Sequence, residues 1–169
     1  MGLLGQYMMV NEQTLKQLVE LENDDLLDAI EELNEDEQNE IYDIDKMWDG
    51  LHFLLTGESA SQPIEGDKLS EAIVGINVFN AEDENADFIA YTKLNDLPEI
   101  ITTLKGVDVN KLRENFNLLS FRKAKIYPNI WDDEEKDSLF EELIQEYKNI
   151  LNFYEKAYVK NTHIIVSIY

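Results

Sequence analysis

The rarest side chains in this sequence fall together. Asp45-Lys46-Met47-Trp48-Asp49-Gly50-Leu51-His52-Phe53-Leu54-Leu55-Thr56-Gly57 holds one of two tryptophans and one of two histidines. If a single helix spans residues 40–56, Asp45, Trp48 and His52 share one edge, because positions three and four apart lie on one face. Trp48 then lies within the apolar face, with His52 and Asp45 on its border. Asp49 stands three residues before His52, within reach of the imidazole. A carboxylate beside an imidazole, in a cleft walled by an indole, polarises a base for proton transfer or ligand recognition. The competing reading is a border histidine bonded to a neighbour, with Trp48 in the core. It is the favoured one.

A second cluster is Ile126-Tyr127-Pro128-Asn129-Ile130-Trp131. Proline biases the residue before it toward extended geometry, which predicts an aromatic turn. Tyr127 and Trp131 have the faces to stack on a planar ligand, and Arg122, Lys123 and Lys125 the charge to hold an anionic group. Joined to the Asp45/Trp48/His52 edge, this turn would complete a small-molecule or hydrolytic site. A tyrosine ahead of proline is more often a packed anchor.

Other chemistry is poorly supplied. Without cysteine there is no disulfide, thiolate nucleophile or cysteine-based zinc site. Two histidines cannot build a His-rich metal centre, and His163, opening the last strand, reads as a surface or edge residue. A calcium loop starting at Asp43 fails, because Met47 and Trp48 occupy its fifth and sixth positions. No metal and no cofactor are expected. No Gly-x-Ser-x-Gly, phosphate-loop or dinucleotide glycine pattern occurs. With 36 acids, carboxylate pairs are trivially available and carry no signal.

The charge is the strongest global feature. Fourteen Lys and Arg stand against 36 Asp and Glu, a net charge of −22. Such a surface repels nucleic acid and anionic lipid and attracts cationic partners. Residues 20–49 hold fourteen acids and one base, Lys46. Residues 105–125 reverse the sign, and this basic stretch is expected to dock against the acidic N-terminal half. No basic leader opens the chain, and no run approaches a membrane span. A soluble cytosolic protein is therefore expected. The leading functional expectation is a non-enzymatic binding domain that engages a basic protein, with inhibition of the antitoxin or immunity type as one form. The small-molecule site is the alternative.

These residues need a scaffold, and periodicity supplies one. Residues 3–10 read as a buried strand. Asn11 caps a first helix carrying Leu15 and Leu18, and Asp24 or Asp25 caps a second carrying Leu26, Ile30 and Leu33. After the helix at 40–56, Gly57 supplies a left-handed C-terminal residue, and 58–67 is a loop. Residues 68–79 fit helix or strand. Phe88 to Thr92 is a strand. Asn95 or Asp96 caps a helix with Pro98 in its first turn, ended by Gly106, and Asp108 caps the next. Asp132 or Asp133 opens the longest helix, to about Tyr158. The β-branched residues 162–169 form a terminal strand paired with the first. The fold class is α+β: one helix-rich domain over 1–169, with a small sheet that includes both chain ends.

The segment Asp45-Lys46-x-Trp48-x-x-Leu51-His52-Phe53-Leu54-Leu55-Thr56-Gly57 resembles one found in YfbM-like proteins, small and mostly bacterial domains of uncharacterised function. Leu69-Ser70-Glu71-Ala72-Ile73, the Ile126-Tyr127-Pro128 turn with Trp131, residues 140–154 and the terminal strand are also similar. Asn77 and Asn80 stand where relatives are expected to carry glycine. The resemblance implies a single α+β domain and brings no activity, cofactor or catalytic residue. It singles out Asp45, Lys46, Trp48, His52, Tyr127 and Trp131 without saying why they matter.

Overall fold

The computed structural model describes residues 2–169. In chain order it holds β1 (Gly5–Val10), α1 (Glu12–Leu18), α2 (Asn23–Glu35), β2 (Ile41–Asp45), α3 (Trp48–Thr56), α4 (Lys68–Val74) and β3 (Asn77–Val78). Then come β4 (Phe88–Thr92), α5 (Leu97–Lys105), α6 (Val109–Asn115), α7 (Leu118–Lys123), α8 (Lys136–Val159) and β5 (His163–Ile168). The strands form one antiparallel sheet in the order β2-β1-β5-β4-β3. The α+β class and the pairing of the two terminal strands match the sequence reading.

Alternation along the strands splits the interior into two cores. On one face of the sheet, Tyr7, Met9, Ile164, Val166 and Ile168 meet apolar residues from α3 to α8. On the other, Met8, Val10 and Ile165 meet Leu15 and Leu18 of α1 and Leu26 and Ile30 of α2. The result is three layers, with the thicker helical layer on the first face. Three buried tyrosines brace that layer, Tyr7 tying β1 to α4 and Tyr154 and Tyr147 tying α8 to α4 and α5. Tyr7 and Tyr154 donate to the Ile73 and Ala72 carbonyls, each at 2.7 Å, and Tyr147 donates to the Leu104 carbonyl. Burial pushes the Tyr7 and Tyr154 hydroxyls well above their ordinary pKa, so they stay protonated donors.

Local signals hold at several ends. Asn11 accepts the Thr14 N–H, and Asp108 accepts those of Asn110 and Lys111. Gly57 takes φ +82° at the end of α3. Asp24 and Asp25 lie in the first turn of α2 rather than capping it. Asp132 caps a short 3-10 turn, Asp133–Glu135, that leads into α8. A 3-10 turn likewise precedes α5, and Gly106 keeps a right-handed φ of −79°. The ambiguous stretch 68–79 resolves as helix then strand. The joint is Gly75, at φ +76° and ψ −178°.

Two expectations need correction. The helix predicted over 40–56 begins only at Trp48. Residues 41–45 are β2, an edge strand whose Tyr42 pairs opposite Tyr7 and stacks on its ring. Ile44 is buried, while Asp43 and Asp45 face solvent. Pairing with β1 has overridden a helical period that a short apolar run cannot distinguish from a strand. The basic stretch 105–125 does not dock on the acidic N-terminal half either. Lys105, Arg113 and Arg122 pair with Glu155, Glu141 and Asp133, all in or beside α8.

Gly75 is a joint with both little room and a left-handed φ. A Cβ there would sit 2.9 Å from the Ala90 Cβ, in backbone geometry that only glycine adopts readily. Gly75→Ala is expected to lower unfolding free energy by about 1–3 kcal/mol, read from the urea midpoint at unchanged slope.

Candidate functional site

Trp48 and Asp49 sit in the first turn of α3, at the start of its buried run. Trp48 stacks on Tyr127 with ring centroids 5.4 Å apart, and its indole N–H donates to the Leu3 carbonyl at 3.2 Å. Trp131 packs beside Phe121 at 4.6 Å, and its indole N–H donates to the Ile126 carbonyl at 2.9 Å. A Cβ on Gly50 would overlap the Trp131 ring, so this glycine lets the aromatic turn close onto α3. Trp48 and Trp131 are buried and Tyr127 is half-buried.

Asp49 is the hub. Its Oδ1 accepts the Ser59 hydroxyl at 2.9 Å and the Ala60 N–H at 2.7 Å. Its Oδ2 accepts the Tyr127 N–H at 2.8 Å. Only 3% of the residue is exposed. One carboxylate thus ties α3 to the 58–67 loop and to the aromatic turn. Charged acceptors form the stronger hydrogen bonds, and a buried donor left without one carries its full desolvation cost.

His52 is one turn further along and completely enclosed. Nδ1 lies 2.7 Å from the Glu58 carbonyl, which can only accept, so Nδ1 carries the proton. Nε2 then accepts the Ser70 hydroxyl at 2.7 Å, and Ser70 Oγ accepts the Ile64 N–H at 3.0 Å. A serine donating to an imidazole that a carbonyl orients has the connectivity of a nucleophile and base. Here Ser70 is 1% exposed, and its donor and one acceptor site are already engaged, so the chain stitches α3, the loop and α4 together. Burial lowers the His52 pKa, opposed by the Glu58 hydrogen bond and by Asp49 and Asp67.

Of the residues singled out from sequence, Trp48, Asp49, Tyr127 and Trp131 come together. Asp45 and His52 do not share an edge. Asp45 ends β2 at φ +56°, is exposed, and makes no side-chain hydrogen bond among the described residues. Asp49 binds the loop and the turn, not the imidazole. Lys125 and Asn129 are exposed around a shallow depression of about 340 Å³ beside Tyr127 and Trp131. Arg122 is already held by the Trp131 carbonyl at 2.7 Å and by Asp133.

His163, expected at a surface or edge, is 7% exposed. It opens β5, an inner strand, under α1 and the Leu94–Asp96 turn. Nδ1 accepts the Leu94 N–H at 2.9 Å, so the proton sits on Nε2 and points at Glu12 Oε2, 2.5 Å away. That bond lowers the Glu12 pKa. No group of three or more metal-binding side chains occurs among the described residues.

Sequence reasoning missed Ser70, Ser59 and the loop backbone as partners of His52 and Asp49. The available signal was Asp67, which caps α4 through the Leu69 and Ser70 N–H groups and so fixes where Ser70 falls. Asp49→Asn would turn an NH2 toward either the Tyr127 N–H or the Ser59 and Ala60 donors. It is expected to cost about 2 kcal/mol by denaturant titration. Because the folded state holds His52 below its ordinary 6.5, the unfolded chain binds more protons just below that pH. His52's contribution is therefore full above 6.5 and is lost as pH falls through it. Stability measured from pH 7 to 5.5 should decline, and His52→Gln should flatten that slope.

The sequence matches the domain of unknown function DUF1877 over residues 1–167. It is 30% identical to Protein YfbM of Escherichia coli (strain K12) across 169 residues, 99% of each chain. The crystal structure of YfbM from Escherichia coli, described as a protein of unknown function, superposes with a TM-score of 0.84 at 27% identity. That superposition covers 98% of this chain and 99% of the other. A family match over nearly every residue, a full-length relative and a shared fold place this chain in the DUF1877 family.

Proposed function

We propose that this protein is a cytosolic docking domain for a basic protein partner. The observation that carries the reading is segregation of charge. Residues 20–37 and 80–87 hold fourteen acids and no base. They are neighbours in space: the Asp87 N–H donates to Asn23, and Glu22, Asp24, Asp25, Glu82 and Asp83 line a shared trough of about 820 Å³. Among the described residues, none of these fourteen acids joins an ion pair. Seven lysines and arginines of the described residues are paired, all with acids elsewhere.

An unpaired acidic layer of this kind steers cations toward itself and selects against anionic partners. Solubility needs net charge but not its concentration on one layer. The trough is polar and open, which suits a protein surface better than a small apolar ligand. The small-molecule alternative draws on less, because Trp48, Asp49 and Trp131 are engaged in packing and His52 is sealed.

The test is capture from lysate by wild type and by a Glu31→Lys, Glu35→Lys double variant, with bound proteins identified. Both acids are on α2, and neither makes an ion pair among the described residues. A basic protein held by wild type at about 50 mM salt, released at several times that concentration and lost on charge reversal is the expected outcome. Identical captures by the two proteins would refute the docking role.

A further inference from the structure

The sheet ends at β3, only two residues long. Beside it a groove of about 400 Å³ separates α4 from the ends of β3 and β4. Val74, Ile76, Val78 and Phe88 give it apolar walls, and Ser70 and Glu71 add polar groups. Ser70 is committed to His52 and Ile64. Glu71 is different. It is 9% exposed, and one oxygen accepts Lys68 Nζ at 2.8 Å. No other hydrogen bond reaches its carboxylate among the described residues. Lys68 also leans toward Glu99 at 3.7 Å. The lining holds a second acid, Glu65, and no lysine or arginine.

A mostly buried carboxylate in apolar surroundings favours a second cationic donor. Apolar walls with an anionic end match a side chain made of an alkyl stem and an ammonium tip. We propose that this groove receives a lysine side chain of a basic protein partner, its stem against Val74, Val78 and Phe88 and its ammonium on Glu71. The assignment rests on the docking role above and names its anchor. Continuity supports it: Val78 and Phe88 flank the connection whose residues 80–87 carry part of the acidic layer. An anchor that fills a pocket beside a charged rim is where binding energy concentrates.

The experiment is an amide-resolved NMR titration of the intact protein with three probes. These are n-pentylamine, n-pentanol and a blocked Gly-Lys-Gly peptide. Pentylamine and the peptide should give saturable shifts around residues 70–78 and 88, with pentanol about tenfold weaker or absent. Glu71→Gln should weaken pentylamine by about tenfold. Val78→Arg, at a site 45% exposed and so tolerant of substitution, should abolish the shifts. The proposal is overturned if pentylamine leaves these amides unmoved, if pentanol binds equally well, or if Glu71→Gln changes nothing. Binding of pentylamine without the peptide would assign the groove to a free amine instead of a protein side chain. The two proposals fail separately. Salt-dependent capture without amine shifts removes the anchor alone. Amine and peptide shifts without salt-dependent capture remove the docking role, and with it the partner's lysine as occupant.

Discussion

Threading β5 between β1 and β4 is the constraint on which every layer depends. Six residue pairs join β5 to β1 and five join it to β4. Without it, β1 with β2 and β4 with β3 are two separate pairs, each with an apolar face exposed. β5 also feeds both cores, with Ile164, Val166 and Ile168 on one side and Ile165 on the other. Burying each such side chain contributes about 1.5–3 kcal/mol. The strand comes from the chain's last residues, so its contacts with β1 close nearly the whole sequence into one loop. That closure costs entropy before any packing returns it. α8 limits the cost by delivering β5 from a rigid 24-residue rod whose tyrosines are anchored on α4 and α5.

Around that frame, the side chains with the best catalytic credentials are spent on joints. Asp49 satisfies three donors from two loops, His52 uses both ring nitrogens, and His163 holds the start of α1 and the Leu94 turn against β5. Catalytic acids and bases need a proton or lone pair aimed at a place a substrate can reach. At His52 every polar atom of the ring is matched inside the protein, and the tautomer is set by a carbonyl. Removing either partner would strand a buried polar group, which is reason enough for these residue types without any reaction.

Legibility in the sequence followed the range of the interaction. Caps at Asn11 and Asp108, the left-handed Gly57, both terminal strands and the apolar stripe of α8 are settled by neighbours within a few residues, and they read correctly. Ile41–Asp45 did not, because its identity is decided by Tyr7 and Gly5 across the sheet. Gly5 admits Ile44 and Trp48 at 2.7 and 3.0 Å from where its own Cβ would stand, and no local pattern announces that approach. His163 looked peripheral because it opens a terminal strand. Which strand is central is a property of topology, invisible along the chain. Trp48, Asp49, Tyr127 and Trp131 do meet, through packing and hydrogen bonds that bring residues 78 apart into contact.

Charge was legible as a total and not as a pattern. The expectation that basic residues 105–125 would neutralise the acidic N-terminal half assumed that opposite charges find each other across a domain. The fold instead places Lys105, Arg113 and Arg122 beside Glu155, Glu141 and Asp133, in or next to α8, and leaves the α2 acids without an ion pair among the described residues. Exposed pairs of this kind are worth at most about 1 kcal/mol each, so they do not dictate topology, whereas the apolar stripes of α2 and α8 do. α2 must lie on the sheet because Leu26 and Ile30 are buried there. Its acids then face outward together with those of the 80–87 connection. Neighbouring acids in this layer repel in the isolated protein, over a Debye length of roughly 8 Å in physiological salt. That repulsion is the free energy a cationic cover would release, so the same packing that creates the liability also defines the face on which a basic partner gains most.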